Sequence, residues 1–361
     1  MSRMFRKRRM LLLLSVAALF CLMIADFWTN KAESFERFGK PFVNERKTDA
    51  YDASRRESVA TAEKELTIPR EDLAGVSLSS VVEGRISVNR SEDAMVRLRY
   101  TITATARDAD LANRKRDAVQ IDQVARDGRL ALKASVDGKR VDWNDDTTID
   151  YVLLVPDGMN VRVESENATV RIEGTVGDAT ATAIGELLEV VDVQGNVTAT
   201  SDYGNIYLSG ITGDIELINR SADANLIDIR GNVAIDNHSG RNFLRSIAGK
   251  VSGETKGGPV YMWNVDGAVE LRSRNGDLQL EDVRGDIRVT ADNGKTSVIL
   301  PADSGYRLNA ATAGGRFRTT LPFPVESERK GDYSLRGTVG DGKWQVDVTS
   351  EDGNIVIYAE E

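Results

Sequence analysis

"VRGDIRVTADNG" (283–294) reads as a short alternating strand closed at each end by a glycine turn, and the chain returns to that pattern at a fixed interval. "ITGDIELINRSA" starts at Ile211, "IRGNVAIDNHSG" at Ile229 and "VDGAVELRSRNG" at Val265. Gly177, Gly195, Gly213, Gly231, Gly249, Gly267 and Gly285 fall eighteen residues apart. Gly204, Ala222, Gly240, Gly258, Gly276 and Gly294 keep the same spacing, nine residues out of phase. Within a unit the aliphatic residues stand at positions one, five, seven, fourteen and sixteen, with Asn or Asp at four and Ser, Thr or Asn at nine. Units begin at Val193, Ile211, Ile229, Ile247, Val265 and Val283, with weaker copies from Asp157 and Thr175. After an interruption at Pro301–Asp303 the pattern resumes from Ser304, and a last copy runs from Gly342.

Alternation with a period of two means strands. Two short strands per unit, each ended by a residue that can take positive φ, make one coil of a solenoid. A single coil cannot bury its apolar side, whereas a stack can. The chain is therefore expected to be all-β, a single-stranded β-solenoid of about ten 18-residue coils over residues 157–361, stacked at ~4.8 Å into a rod of roughly 50 Å. A left-handed hexapeptide helix would need an aliphatic every six residues, and a calcium-binding nonapeptide coil would need G-G-x-G-x-D; neither pattern is present. Residues 62–156 alternate well in "GRISVNR", "MVRLRYTITATA", "GRLALKASV" and "TIDYVLLVP" but lack the period, and are expected to form an irregular β cap on the N-terminal edge of the stack. "DADLANRKRDAVQ" (108–120) is the one helix expected in the body.

The N-terminus is of another kind. A basic tail (1–9, with Arg3, Arg6, Lys7, Arg8 and Arg9) precedes "MLLLLSVAALFCLMIA" (10–25), followed by Phe27 and Trp28. We read residues 10–28 as an uncleaved transmembrane helix, shorter than the usual ~20 apolar residues but extended by interfacial aromatics, with a cleaved signal peptide as the alternative. No small-residue cleavage site follows, and bulky Phe20 spoils "ALFC" as a lipoprotein box. The basic flank keeps the N-terminus cytoplasmic, so the body is expected in the periplasm or outside the cell. Residues 29–61 read as a polar linker.

Net charge is −9, and because the first nine residues carry five bases and no acid, residues 10–361 carry −14. Such a body repels phosphate backbones, which argues against nucleic-acid partners. Cys21 and His238 are the sole cysteine and histidine, so disulfides, His-rich metal sites and Cys/His nucleophiles are all out of reach.

The passage "IDYVLLVPDGMNVRVES" (149–165), the serial V-x-G-N/D-I/V units and the closing "SEDGNIVIY" (350–358) resemble the bacterial putative-adhesin family, β-solenoids that often follow one membrane helix. The resemblance covers residues 75–358. It implies an envelope or surface protein with no catalytic residues to carry over and, in some relatives, a link to envelope-stress sensing through a protein partner.

Several constellations remain to be weighed. Asp178, Asn196, Asp214, Asn232 and Asp286, with Asp192, Asp228 and Asp282 across the turn, could line a calcium edge, but Asn and Asp also serve turn backbones. Sequons at Asn167, Asn196, Asn219 and Asn237 have the same turn explanation. A polysaccharide-cleaving enzyme would need clustered outward carboxylates, and the middle outward column of the first strand (Arg162, Thr180, Thr198, Glu216, Ala234, Ser252, Glu270, Arg288) scatters its charges. The outward positions of the second strand instead align Tyr207, Phe243, Tyr261 and Trp263 into an aromatic stripe. This stripe is the candidate binding site, facing a glycan or an envelope protein, a second copy of the chain, or covered by Phe323 and Tyr333 of the 322–341 insertion. No cofactor is implied. The chain is expected to be a non-enzymatic binding, adhesion or scaffold module of the envelope; the alternatives are a stress sensor and, less favoured, a carbohydrate-active enzyme.

Overall fold

A computed structural model describes residues 57–141, 146–329 and 332–360. The basic tail, the apolar segment 10–28 and residues 29–56 of the expected linker lie outside the described residues. Among the described residues no helix is long and apolar enough to cross a membrane.

The strands form two long sheets, one of 14 strands and one of 16. Each repeat gives one strand to each sheet, as with Val197–Ser201 and Ile206–Ser209. Neighbouring coils pair parallel with residue i opposite residue i+18: Val197 faces Ile215, and Ile206 faces Ala224. This register holds from Val161 to Ile299. The aliphatic positions point into the space between the sheets, where Val233, Leu226 and Leu208 are fully buried. Position one fills the third corner of the cross-section with Val193, Ile211, Ile229, Ile247, Val265 and Val283, all buried.

Position nine is polar and yet inside. Ser201, Thr255 and Ser273 are buried, and each hydroxyl donates to a carbonyl three residues ahead at 2.6 Å, on Gly204, Gly258 and Gly276. A buried donor without a partner would cost about 1–3 kcal/mol, so the hydroxyl both satisfies itself and closes the corner. The glycine at position three answers a different need. A Cβ built on Gly231 would sit 2.1 Å from the Gly213 carbonyl oxygen of the preceding coil, at a φ of +153°. At that corner adjacent backbones come closer than any side chain permits.

The ends of the stack depart from sequence order. At the N-terminal end the coil Gly75–Arg90 lies next to the coil that starts at Asn160, and strands Arg129–Val136 and Thr147–Val155 add a further parallel coil outside it. Part of the expected irregular cap is thus the same solenoid, hidden from periodicity analysis because long excursions separate its strands. The antiparallel strands Ser58–Pro69, Met95–Ala106 and Val119–Arg126 then close the edges. The helix Ala109–Ala118, within the span expected, is capped by the Asp108 carboxylate accepting from Leu111 N at 2.8 Å, and sets Ala112 against Ala60 and Ala106.

At the C-terminal end the last two copies are exchanged. Strand Trp344–Ser350 pairs parallel with Ile287–Ala291 on one side and with Tyr306–Thr312 on the other. In the second sheet Asn354–Ala359 likewise separates Lys295–Leu300 from Phe317–Thr319. The final segment is therefore a coil inserted between two coils that precede it in the chain. The 322–341 insertion forms a hairpin, Val325–Arg329 with Asp332–Val339, that pairs antiparallel to Tyr306–Thr312 and shields the last edge.

Two outcomes are expected. Gly231→Ala should destabilise by about 3 kcal/mol or more, whereas Gly138→Ala, where an added Cβ meets nothing within 4 Å, should cost about 1–2 kcal/mol; thermal melts of the two variants measure the difference. Deleting residues 344–361 should release 306–339 as one unit, read as loss of amide protection there while coils 179–283 stay protected.

Candidate functional site

The structure brings three of the four stripe residues together. Phe243 and Tyr261 occupy the same position on adjacent strands, and Trp263 lies two residues beyond Tyr261 on the same outward face. Trp263 is 55% exposed and Phe243 39%. Tyr207 stands apart, two coils from Phe243 with Asn225 between them. The insertion does not cover the stripe: its hairpin belongs to the other sheet, at the end of the stack, and Phe323 packs at Gly337.

Ring geometry decides what this patch can hold. The Phe243 and Tyr261 rings are stacked, with centroids 4.9 Å apart and planes 13° from parallel. Coil spacing in a parallel sheet is ~4.8 Å, so the register itself places ring on ring. The Arg241 guanidinium lies 6.0 Å from the Phe243 centroid, within reach of a cation–π contact. Arg241 also pairs with Asp223 through Nε at 3.0 Å and donates its backbone N–H to the same carboxylate at 2.9 Å. The Arg241 side-chain hydrogen bond holds the Asp223 carboxyl below the usual carboxylate range. Tyr261 and Arg241 thus both lie against the Phe243 ring. The open platform is the Trp263 indole, with Ile227 and Arg245 in its column. Sequence reasoning missed the Asp223–Arg241–Phe243 chain, although opposite charges eighteen residues apart were there to signal it.

The turn carboxylates and amides have another duty. Asn160 Oδ1 accepts from Asp178 N, Asp178 Oδ1 from Asn196 N, Asn196 Oδ1 from Asp214 N, Asp214 Oδ1 from Asn232 N and Asn232 Oδ1 from Lys250 N, all at 2.8–3.0 Å. Each side chain serves the next coil rather than its own turn, so these oxygens form a ladder instead of converging on a cation. Across the turn, Asp192, Gly210, Asp228, Ser246, Asn264 and Asp282 all adopt φ between +50° and +67°. Left-handed backbone, which Asn, Asp and Gly tolerate best, is what unites those residue types. Among the described residues no group of three His, Cys, Asp or Glu could hold a metal ion. Two of the sequon asparagines, Asn219 and Asn237, are fully buried with their amides bonded at the corner.

In the outward column of the first strand, Glu216 is flanked by Thr198 and Ala234, and Glu270 by Ser252 and Arg288. Glu270 is bound by Lys250 at 2.7 Å, which holds its carboxyl low. Glu216 and Glu270 lie three coils apart in this column; in the next outward column Asp236 and Glu254 are opposite each other on adjacent strands, and Glu254 is bound by Arg274 at 2.9 Å.

The family model of Toastrack DUF4097 matches residues 56–358. The chain belongs to that family. Solved structures similar to this Toastrack chain include a putative adhesin from Parabacteroides distasonis, 12% identical over 82% of this chain and 97% of that one, with a TM-score of 0.35. A putative adhesin from Bacteroides fragilis is 12% identical over 82% and 97%, with a TM-score of 0.28. A putative cell adhesion protein from Clostridium sporogenes is 13% identical over 83% and 100%, with a TM-score of 0.20. No protein of curated function matches the chain.

The ladder assignment is tested at Asp214. Asp214→Asn keeps the accepting oxygen and should leave the melting temperature unchanged, Asp214→Ala should lower stability by about 1 kcal/mol, and added calcium should shift neither; a calcium-dependent rise in the parent protein would restore the metal reading.

Proposed function

We propose that this Toastrack protein is a non-enzymatic binding module of the bacterial envelope, held at the membrane by residues 10–28 with its body outside the cytoplasm. One observation carries the reading: Phe243, Tyr261 and Trp263 form an aromatic patch, uncovered by the described chain, on a sheet whose backbone is locked by pairing on both sides. Exposed aromatic clusters on rigid scaffolds mark contact surfaces. Outward carboxylates engaged by bases, Glu270 by Lys250 and Glu254 by Arg274, support binding rather than bond cleavage, and the run of bases before residue 10 supports an outward-facing body.

Full-length protein in detergent, as wild type, Trp263→Ala and Tyr261→Ala, is to be compared on isolated envelope fractions and a glycan array, with sedimentation of the same samples. Loss of a specific signal in Trp263→Ala, with sedimentation and melting unchanged, is the expected result. Equal binding by all three proteins would remove the patch from the function. An oligomer that dissociates in Trp263→Ala would make the patch an assembly surface.

A further inference from the structure

The corner that leads from the first sheet to the second carries one residue per coil immediately after buried position nine, in the order Asp202, Arg220, His238, Lys256, Arg274, Asp292. These residues are in strict register: the backbone N–H of each of the last five donates to the coil before, His238 to Asn219 O and Lys256 to Asn237 O at 2.8 Å, Arg274 to Thr255 O at 2.9 Å. Four basic-type side chains in succession, bounded by an acid at each end, are exceptional on a body that carries −14. Arg220 is neutralised in part by Asp202 at 2.8 Å and Arg274 by Glu254 at 2.9 Å. Lys256 donates to the His238 imidazole rather than to a carboxylate, and the acids Asp236 and Glu254, two residues earlier on the same coils, bound the row on its sheet side.

Beside the cations runs a neutral row one residue further on, Ser221, Ser239 and Asn275, and at its end stands Tyr203, 70% exposed on the turn of the preceding coil. Three cations, Arg220, Lys256 and Arg274, spread over ~15 Å with an imidazole between them, hydroxyl and amide groups alongside and an open aromatic ring at one end suit a charged sugar chain. A nucleic acid strand would be repelled by the rest of the body, which carries −14. We infer that the corner Arg220–His238–Lys256–Arg274 binds an extended acidic polysaccharide lying along the stack, with its negative groups meeting successive coils and a sugar ring against Tyr203. The acids Asp202 and Asp292 limit the contact to about four sugars, because the row spans roughly 15 Å from first to last cation at that spacing. This site lies on the turn, off the sheet face that bears Trp263, and its test does not depend on the patch.

The test is calorimetric titration of the full-length protein with oligogalacturonates of two to eight residues, with heparin oligosaccharides and neutral dextran as separate arms. Binding that strengthens up to about four residues and then levels, weakens with salt, and is absent with dextran is expected; tighter binding of galacturonate than of heparin would assign carboxylated sugars, and the reverse sulfated ones. Lys256→Glu should weaken it about tenfold or more and Tyr203→Ala several-fold, while Lys139→Glu, the same charge change at an exposed site elsewhere, should leave it within about twofold. Melting curves of the three variants establish that each is folded, and Lys256→Gln substitutes should Lys256→Glu fail to fold. No binding of either acidic series by folded wild type, or equal weakening by Lys139→Glu and Lys256→Glu, would overturn the inference.

Discussion

Backbone pairing of residue i with residue i+18 is the constraint from which the remaining features follow. Once coils stack in that register, whatever occupies one position of the repeat lies directly above its counterpart. Aliphatic residues become continuous core columns, and hydroxyls at position nine become a buried file of corner bonds. Asn and Asp at position four become a ladder from side chain to the next coil's N–H. The close approach at Gly231 and its equivalents permits the register, since a side chain there would push neighbouring coils apart. The same rule stacks Phe243 on Tyr261 without any need for the two residues to attract each other.

A strictly repeating scaffold also makes its exceptions conspicuous. On the second sheet the outward columns hold mostly polar or charged residues until the coils around 243–263, where large aromatics appear. At the neighbouring corner Ile184 and Asp202 give way to four basic-type residues over coils 215–274. Neither departure improves the core, since these side chains point outward, and neither caps an edge, since both lie in mid-stack. Their concentration on the same few coils separates them from scattered surface variation. The ends are distinguished differently: antiparallel strands close both N-terminal edges and one C-terminal edge, so that little parallel edge is left to recruit another chain.

Charge is distributed to suit the same plan. Arg220–Asp202, Arg241–Asp223 and Arg274–Glu254 all connect neighbouring coils. Exposed pairs of this kind contribute little to stability individually. Their larger effect is to fix the direction of long side chains, as Arg241 is held beside the Phe243 ring.

The repeat period, strand positions, inward and outward faces and the helix at 109–118 were all readable from the amino-acid sequence, because each depends on local alternation or on spacing along the chain. The aromatic residues were readable too, as members of one outward series. Tertiary structure alone decided three matters. It placed Trp344–Ser350 between two earlier coils, and made coils of Gly75–Arg90 and of the strands Arg129–Val136 and Thr147–Val155, since pairing across 38 to 85 residues leaves no trace in an eighteen-residue period. It held the Arg241 guanidinium beside the Phe243 ring through the bond to Asp223, because side-chain torsions are not written in residue order. It sent the insertion away from the patch to the other sheet, where the strand Tyr306–Thr312 still offered an unpaired edge.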